Sequence, residues 1–369
     1  MKKVAILGAG NGGLSMGAHM ALSGWEVSLY DAFEKQLEGV RKAGGIRLSG
    51  PSSSGFAHVG TVTDQIREAL EGCPLVMVTT PAFAHRDLAE KCAPFLRHGQ
   101  IVLLNPGRTC GALEFRKRAE EVFPEARFTV AEAQSLVYAC RRTGPAEATI
   151  YQVKDRVPLA AFPASDTPRV LEALAQPYPQ FSAASDVLET SLMNIGAIFH
   201  PGPAMLNIAR IENREDFDYY TDGISPCVGS VLELVDRERV AVAGALGVPT
   251  LSCRDWLGMA YGIEIGRDDT IYSAVQKNPA YRGIRAPGDP YARYITEDVP
   301  MSLVPLSELG RLSGTPTPAM DLLISLAGML HGRDYRKSGR TAKKLGIEGL
   351  SPAALKRFVR TGHIGNGAE

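Results

Sequence analysis

Val4-Ala5-Ile6-Leu7, then Gly8-Ala9-Gly10-Asn11-Gly12-Gly13, then Leu14 to Leu22, then Glu26-Val27-Ser28-Leu29-Tyr30-Asp31 open the chain. The first apolar run has no polar face, which suits a strand buried on both sides of a parallel sheet. Leu14, Met16, Ala18, Met20 and Leu22 read as a helix, and Glu26 to Tyr30 as a second strand. Between strand and helix each glycine has a physical use. Gly8 permits the tight turn, Gly10 lets a pyrophosphate approach the backbone, and Gly13 lets the helix lie close to the sheet. The free N–H groups of Asn11, Gly12 and Gly13 at the helix start would then face phosphate oxygens. Asp31 stands about 20 residues beyond the glycines, where a carboxylate binds a ribose hydroxyl. The alternative is a glycine-rich βαβ turn without a ligand, but strand, loop, helix and acid are all in register. The charge of Asp31 favours NAD over a 2′-phosphorylated cofactor. Lys35, one turn later, softens that repulsion and leaves NADP open.

Working outward, the strand–helix alternation continues. A helix is expected over Phe33 to Lys42, a small strand pair within Gly44 to Thr63, and a helix over Thr63 to Glu71. Pro74 to Thr80 reads as a buried strand beside the first one, ending at Pro81. That proline either covers the cofactor, with Ala82 and Phe83, or simply ends the strand. His85 to Phe95 suits a helix and Gln100 to Leu104 a strand that stops on Asn105-Pro106-Gly107, polar groups that would point into the crevice. A helix over Ala112 to Val122, strands at Arg127 to Glu132, Tyr138 to Arg141, Thr149 to Val153 and Val157 to Phe162, and a final helix over Val170 to Ala175 complete an α/β domain over 1–187. From 188 to 369 long helical patterns take over, predicting an all-helical second domain. They cover Glu189 to Phe199, Ala204 to Asn213, Val228 to Leu246, Leu251 to Tyr261, Thr270 to Gln276, Leu303 to Gly310, Pro318 to Leu330 and Pro352 to Arg360. The tail beyond Arg360 is expected to fray.

Bulk properties exclude several classes. The 369 residues suffice for two domains, and 40 basic residues cancel 40 acidic ones. No basic face or tail speaks for nucleic acid or an anionic membrane. No apolar stretch reaches the length of a bilayer span, and Met1-Lys2-Lys3 runs straight into a core strand without the pattern of a signal peptide. Cys73, Cys92, Cys110, Cys140, Cys227 and Cys253 show neither CxxC spacing nor a zinc pattern, so reduced thiols, a cytoplasmic location and no metal are expected.

A nicotinamide enzyme needs a proton donor near the carbon that takes hydride, and histidine titrates in the right range. Of seven histidines, His19, His58, His98, His331 and His363 read as packing or surface residues, and His85 follows the Pro81 loop. His200 lies in Asn194-Ile195-Gly196-Ala197-Ile198-Phe199-His200-Pro201-Gly202-Pro203, where the prolines end or kink the helix and leave it at a helix terminus. On these residues alone, a proton donor and a capping histidine are both tenable. Further on, Tyr291-Ala292-Arg293-Tyr294-Ile295-Thr296-Glu297-Asp298-Val299-Pro300 offers an arginine for a carboxylate and an acid, Glu297 or Asp298, to orient an imidazole. An ordinary surface ion pair is the alternative.

These residues also match a family. The sequence resembles the octopine and other opine dehydrogenases, and within them the bacterial N-(1-D-carboxylethyl)-L-norvaline dehydrogenase type. The match is carried by Gly8 to Gly13, Asn105-Pro106-Gly107 with Gly111 to Arg116, the His200-Pro201 segment with Asn207 and Arg210, Tyr219-Tyr220 with Gly223-Ile224, Ala274 through Gly283, and Arg293 to Gly310. The resemblance implies a Rossmann NAD(P)-binding domain followed by an all-α domain of the 6-phosphogluconate dehydrogenase C-terminal type, with the site between them. It implies reductive condensation of an L-amino acid with a 2-oxo acid such as pyruvate, and a homodimer. Residue by residue, His200 matches the catalytic histidine, Asp298 its carboxylate partner, and Arg293 the arginine that binds the keto-acid carboxylate. Asn194, Asn207 and Asn105 are weaker candidates for orienting or binding substrate. In some relatives a glutamate near Glu132 helps recognise the amino-acid side chain, but Ala131-Glu132-Ala133-Gln134 departs from that pattern. Two other readings remain. One is a simple 2-oxo acid or carbonyl reductase of the same architecture, which relies on a catalytic lysine that the start of the second domain lacks. The other is a non-catalytic NAD sensor.

Overall fold

Residues that hide both faces of a strand go to the centre of the sheet. In the computed structural model, which describes residues 2–51 and 53–364, β1 (Lys3–Leu7) lies between β2 (Glu26–Tyr30) and β6 (Leu75–Val78), parallel to both. β3 (Gly45–Ser49), β4 (Gly55–His58) and β5 (Thr61–Thr63) come between β2 and β6, and β7 (Ile101–Leu104), β8 (Thr129–Ala133), β9 (Tyr138–Gly144), β10 (Glu147–Val153), β11 (Val157–Phe162) and β12 (Phe181–Ala183) follow. The main sheet has the order β12-β11-β8-β7-β6-β1-β2-β5. The six strands from β8 to β5 therefore run in the doubly wound dinucleotide-binding order, with the crevice at the switch between β1 and β6. Every residue of β6 and β7 is buried.

At the turn out of β1, Gly8 has φ +113°, a conformation that strains any residue with a Cβ. A Cβ on Gly13 would stand 1.6 Å from the Gly8 carbonyl oxygen, so no other residue lets the helix Asn11–Leu22 pack this closely. That helix is buried on nearly all sides. The reason is a second sheet, ordered β4-β3-β10-β9, which covers its outer side. The strand pair expected within Gly44 to Thr63 is β3 with β4, and the strands expected at Tyr138 to Arg141 and Thr149 to Val153 join it rather than the main sheet. The helix expected from Thr63 starts only at Ile66. The β-branched Thr61-Val62-Thr63 prefer extended backbone and pair with β2.

The chain divides into two compact units, one of residues 1–191 together with the described residues from Arg357 on, the other of Leu192–Lys356. The C-terminal helix Pro352–Thr361, expected within the second domain, thus ends in the first unit. Phe358 packs edge-on against Phe162, ring centroids 4.9 Å apart, and this apolar contact outweighs sequence proximity. The last five residues of the expected frayed tail lie outside the described residues.

The second unit is helical. Two long expected helices are broken where polar side chains or small residues interrupt the backbone ladder. Glu189 to Phe199 resolves into Val187–Leu192 and Gly196–Phe199. Ala204 to Asn213 resolves into Pro201–Leu206 and Ile208–Glu212. Asn207 sits at the second break, its Nδ2 donating to the carbonyls of Pro203 and Gly223, a side-chain bond that competes with helix continuation. The longest helix, Pro226–Ala245, is closed at its start by Ser225, whose hydroxyl accepts from the Val228 N–H. Short helices at Arg293–Thr296, Tyr335–Ser338 and Ala342–Leu345 carry too few residues to show a period in sequence.

Candidate active site

In the first unit the carboxyl ends of β1, β2 and β6 carry the expected cofactor residues. A Cβ added at Gly10 would meet nothing within 4 Å, leaving open space beside the helix start. Asp31 Oδ2 accepts from the Ala9 N–H at 2.7 Å and Oδ1 from the Phe33 N–H at 3.0 Å. The acid thus holds the glycine loop as well as standing at the tip of β2. The Asn11 side chain accepts from the Arg142 N–H at 2.9 Å, and Arg142 Nη1 donates to the Ala9 carbonyl at 3.2 Å. Asn11 therefore ties the second sheet to the loop, and its backbone N–H, like that of Gly12, belongs to the helix start. Pro81 directly precedes a short 3-10 turn, Ala82–Ala84, with Phe83 exposed.

Two polar atoms at these strand ends are buried with no hydrogen-bond partner among the described residues: Asn105 Oδ1, past β7, and Thr80 Oγ1, past β6. Asn105 Nδ2 is already committed to the Leu103 carbonyl at 3.0 Å. A buried acceptor left unpaired costs on the order of 1–3 kcal/mol. A dinucleotide held at these strand ends would bring amide and hydroxyl groups able to satisfy both atoms. The open cradle at Gly10 and these two atoms fit a nicotinamide dinucleotide. Thr80 was not singled out from sequence, where it read as the end of a strand.

In the second unit the sequence places His200 between two short helices. Phe199 ends one and Pro201 begins the next, since proline cannot continue the first ladder but suits a first helical position. His200 Nδ1 lies 2.8 Å from Asp298 Oδ2. The histidine side chain is 20% exposed and the aspartate side chain 1%. An ionised carboxylate only accepts, so Nδ1 carries the proton and Nε2 is left to meet a substrate. Asp298 itself begins a single π turn, Val299–Leu303. Ser302 on that turn donates to Asp298 Oδ1 at 3.3 Å, and Asn194 Nδ2 donates to Ser302 Oγ at 2.9 Å. Such π turns re-aim side chains where helical geometry alone would misplace them.

Aromatic rings wall the imidazole. Tyr294 stacks on His200 with centroids 4.6 Å apart and planes 19° from parallel. Tyr219, fully buried, packs 4.7 Å from Tyr294 and donates its hydroxyl to the His200 carbonyl. Burial holds the Tyr219 phenol well above its usual pKa, so it stays a neutral donor. Rings packed on the imidazole displace water from its faces, which strengthens its interaction with Asp298.

Arg293 starts the short helix that carries Tyr294. Its Nε donates to Glu297 Oε2 at 2.6 Å, and Glu297 is buried while the arginine side chain is 60% exposed. The two acids of this segment are therefore divided: Asp298 meets the imidazole and Glu297 holds the guanidinium, leaving its Nη1 side for an incoming carboxylate. Asn194 and Asn207, candidates for orienting or binding substrate, donate through Nδ2 to Ser302 Oγ and to the Pro203 and Gly223 carbonyls. Glu132 is fully buried, accepting from the Ala112 N–H at 2.8 Å, Thr190 Oγ1 at 2.6 Å and Ser191 Oγ at 3.0 Å. Ser302 and Tyr219 went unread as site residues. The sequence signal for Ser302 is its spacing of four from Asp298, and for Tyr219 its place in the matching stretch Tyr219-Tyr220.

Residues 183–331 match the family model described as NAD/NADP octopine/nopaline dehydrogenase, alpha-helical domain, and residues 4–130 that described as ketopantoate reductase PanE/ApbA. The chain is 40% identical over 359 residues to the opine dehydrogenase of Arthrobacter sp. (strain 1C), covering 97% of this chain and 99% of that one. It is 26% identical to the vitopine synthase of Allorhizobium ampelinum, covering 95% and 97%. An octopine dehydrogenase structure with NADH and L-arginine superposes over 100% of both chains with a TM-score of 0.81 at 21% identity. A yersinopine dehydrogenase structure with NADP+ bound superposes over 98% of both with a TM-score of 0.75 at 14% identity.

Proposed function

Because the chain belongs to the opine dehydrogenase family, NAD(P)-dependent oxidoreductases acting on CH–NH groups, we propose that His200, Asp298 and Arg293 are the residues through which it condenses the α-amine of an L-amino acid with a 2-oxo acid such as pyruvate. The reaction is reversible, oxidising the secondary amine to an imine that water then splits. The observation that carries this assignment is the His200–Asp298 contact, with Nε2 left open and Arg293 on the next short helix.

When bound, the reduced nicotinamide supplies the hydride. The rest falls to the chain. Arg293 neutralises and aims the 2-oxo acid through its carboxylate, with Glu297 keeping the guanidinium in place. As the amine adds to the keto carbon, Nε2 of His200 takes the proton that the amine releases. It returns that proton to the former keto oxygen, making the hydroxyl of the adduct, and relays a second proton from the same nitrogen to that hydroxyl, which leaves as water and gives the imine. Asp298 stabilises the imidazolium that exists between those transfers. Tyr294 and Tyr219 keep bulk water from the imidazole, so the proton it carries goes to the leaving hydroxyl.

NADH loss with pyruvate should therefore require an added amino acid. A rate with pyruvate alone equal to that with the amine present would identify a simple carbonyl reductase instead.

Asp31 at the tip of β2 supports NADH as the preferred donor over NADPH. Five of the six cysteines are buried and none is in a disulfide, and among the described residues no helix is long and apolar enough to cross a membrane. Both observations support a cytoplasmic location. Leu322 and Met329 stand exposed on the helix Pro318–His331, an apolar stripe that supports a homodimer. Light scattering should then report twice the 39.6 kDa chain mass, and a monomer at micromolar concentration would dismiss the pairing.

A further inference from the structure

Arg142 stands on β9, in the second sheet, and its side chain reaches back to the glycine loop. Its backbone N–H donates to Asn11 Oδ1 at 2.9 Å. Nε donates to the Gly144 carbonyl at 3.1 Å, and Nη1 to the Ala9 carbonyl at 3.2 Å and to Gln36 Oε1. Nη2 donates to the Pro145 carbonyl at 2.8 Å and the Gln36 carbonyl at 3.4 Å. The hairpin that carries this residue is itself fixed. A Cβ added to Gly39 would stand 2.5 Å from Pro145, so the turn between β9 and β10 lies directly on the helix Glu34–Ala43 that follows β2. All of these residues belong to the first unit.

Every one of these acceptors is neutral, and Arg142 forms no ion pair among the described residues. A partly buried guanidinium is thus held rigidly beside the glycine loop with its charge uncompensated. Its place is one that a phosphate meets. The Ala9 carbonyl holds the guanidinium, the Ala9 N–H goes to Asp31 at the ribose position, and the next residue, Gly10, borders open space. The charge therefore lies between the seat of a pyrophosphate and that of the ribose. Asp31 does not neutralise it, because its two oxygens accept from the N–H groups of Ala9 and Phe33. Four of the acceptors are backbone carbonyls and stay where they are. The fifth, Gln36 Oε1, is on an exposed side chain, and an incoming anion can replace it with a stronger, charge-assisted contact.

We propose that Arg142 supplies the counter-charge for a phosphate group of the bound dinucleotide, reaching it from a sheet that lies outside the strand–glycine loop–helix fingerprint. The inference rests on the dinucleotide site described above. Two phosphates share this chemistry, the pyrophosphate common to NADH and NADPH and the 2′-phosphate of NADPH alone. Against the first, Arg142 strengthens both cofactors. Against the second, it offsets the charge of Asp31 and admits NADPH.

The test measures Kd for NADH and for NADPH by nicotinamide fluorescence on the full chain, and the Ki of adenosine by displacement of NADH. R142Q removes the charge and keeps an amide donor. It should raise the Kd of at least one cofactor roughly tenfold or more, the usual worth of a charge-assisted contact. Equal losses for NADH and NADPH identify the pyrophosphate, and a loss confined to NADPH identifies the 2′-phosphate. R142K should recover part of either loss. Adenosine, which has no phosphate, should compete within about twofold of its wild-type Ki. Q36E is the companion that leaves Arg142 and its carbonyl contacts in place. It sits at an exposed position and sets a carboxylate on the guanidinium, so it should weaken the same cofactor as R142Q. Wild-type Kd values for both cofactors in R142Q or in Q36E overturn the proposal. So does a loss of adenosine binding as large as that of the cofactor, which would mean that Arg142 only shapes the loop. A wild-type chain that binds neither NADH nor NADPH would instead remove the dinucleotide site on which the proposal rests.

Discussion

His200→Ala is expected to lower kcat by about a thousandfold, the middle of the range for removing a positioned acid–base group. NADH should still bind with an unchanged Kd, because the glycine loop, Asp31, Thr80 and Asn105 all belong to the first unit. The KM for pyruvate should move little, since the guanidinium of Arg293 is held by Glu297 and not by the imidazole. The variant carries a stability cost of its own. It removes one donor from a nearly sealed carboxylate and opens a gap against Tyr294. His200→Asn is the companion, because its amide can still donate to Asp298 while it cannot carry a proton between amine and hydroxyl. Both variants should fold and bind NADH, and both should be slow. Turnover in His200→Asn within threefold of wild type would show that the imidazole only orients the backbone, where Tyr219 already grips its carbonyl.

The parts that sequence made legible are those governed by short-range rules. Val4 to Leu7, the glycines and Asp31 form one local unit, so strand, turn, helix and second strand follow from their order. His200 at a helix terminus follows from Pro201 alone. The second sheet was not legible as a sheet, because β3 and β10 pair across about a hundred residues and their alternation fits either sheet. The same limit applies to the site. Asp298 and Glu297 are adjacent and equally acidic, and only the π turn decides which one faces the imidazole. Asn194 and Asn207 are legible as neighbours of His200, but the partners of their amides, Ser302 and the Pro203 and Gly223 carbonyls, come from other turns of the chain and carry no local signal.

Asp298→Asn is expected to cost roughly 10²- to 10⁴-fold in kcat while leaving size, shape and burial nearly unchanged. Two losses combine. The amide has no net charge, so the imidazolium formed during the proton transfers loses its stabilisation by a carboxylate that burial makes strongly felt. The amide can also turn its NH2 toward Nδ1, which then holds the tautomer with the proton on Nε2, where it cannot accept one from the amine. Ser302 bears on which face prevails: as a donor to Oδ1 it favours keeping an oxygen on its own side, which places the NH2 beside His200. Ser302→Ala in the Asp298→Asn background should therefore recover part of the lost rate by freeing the amide to turn, whereas in the wild-type background it should only slow the enzyme. The double variant His200→Ala with Asp298→Asn should be no slower than His200→Ala alone, because a carboxylate whose work is done through the imidazole has nothing left to act on. A further drop in the double variant would mean that Asp298 meets the substrate directly, and the relay would have to be redrawn with the acid in contact with the reacting amine.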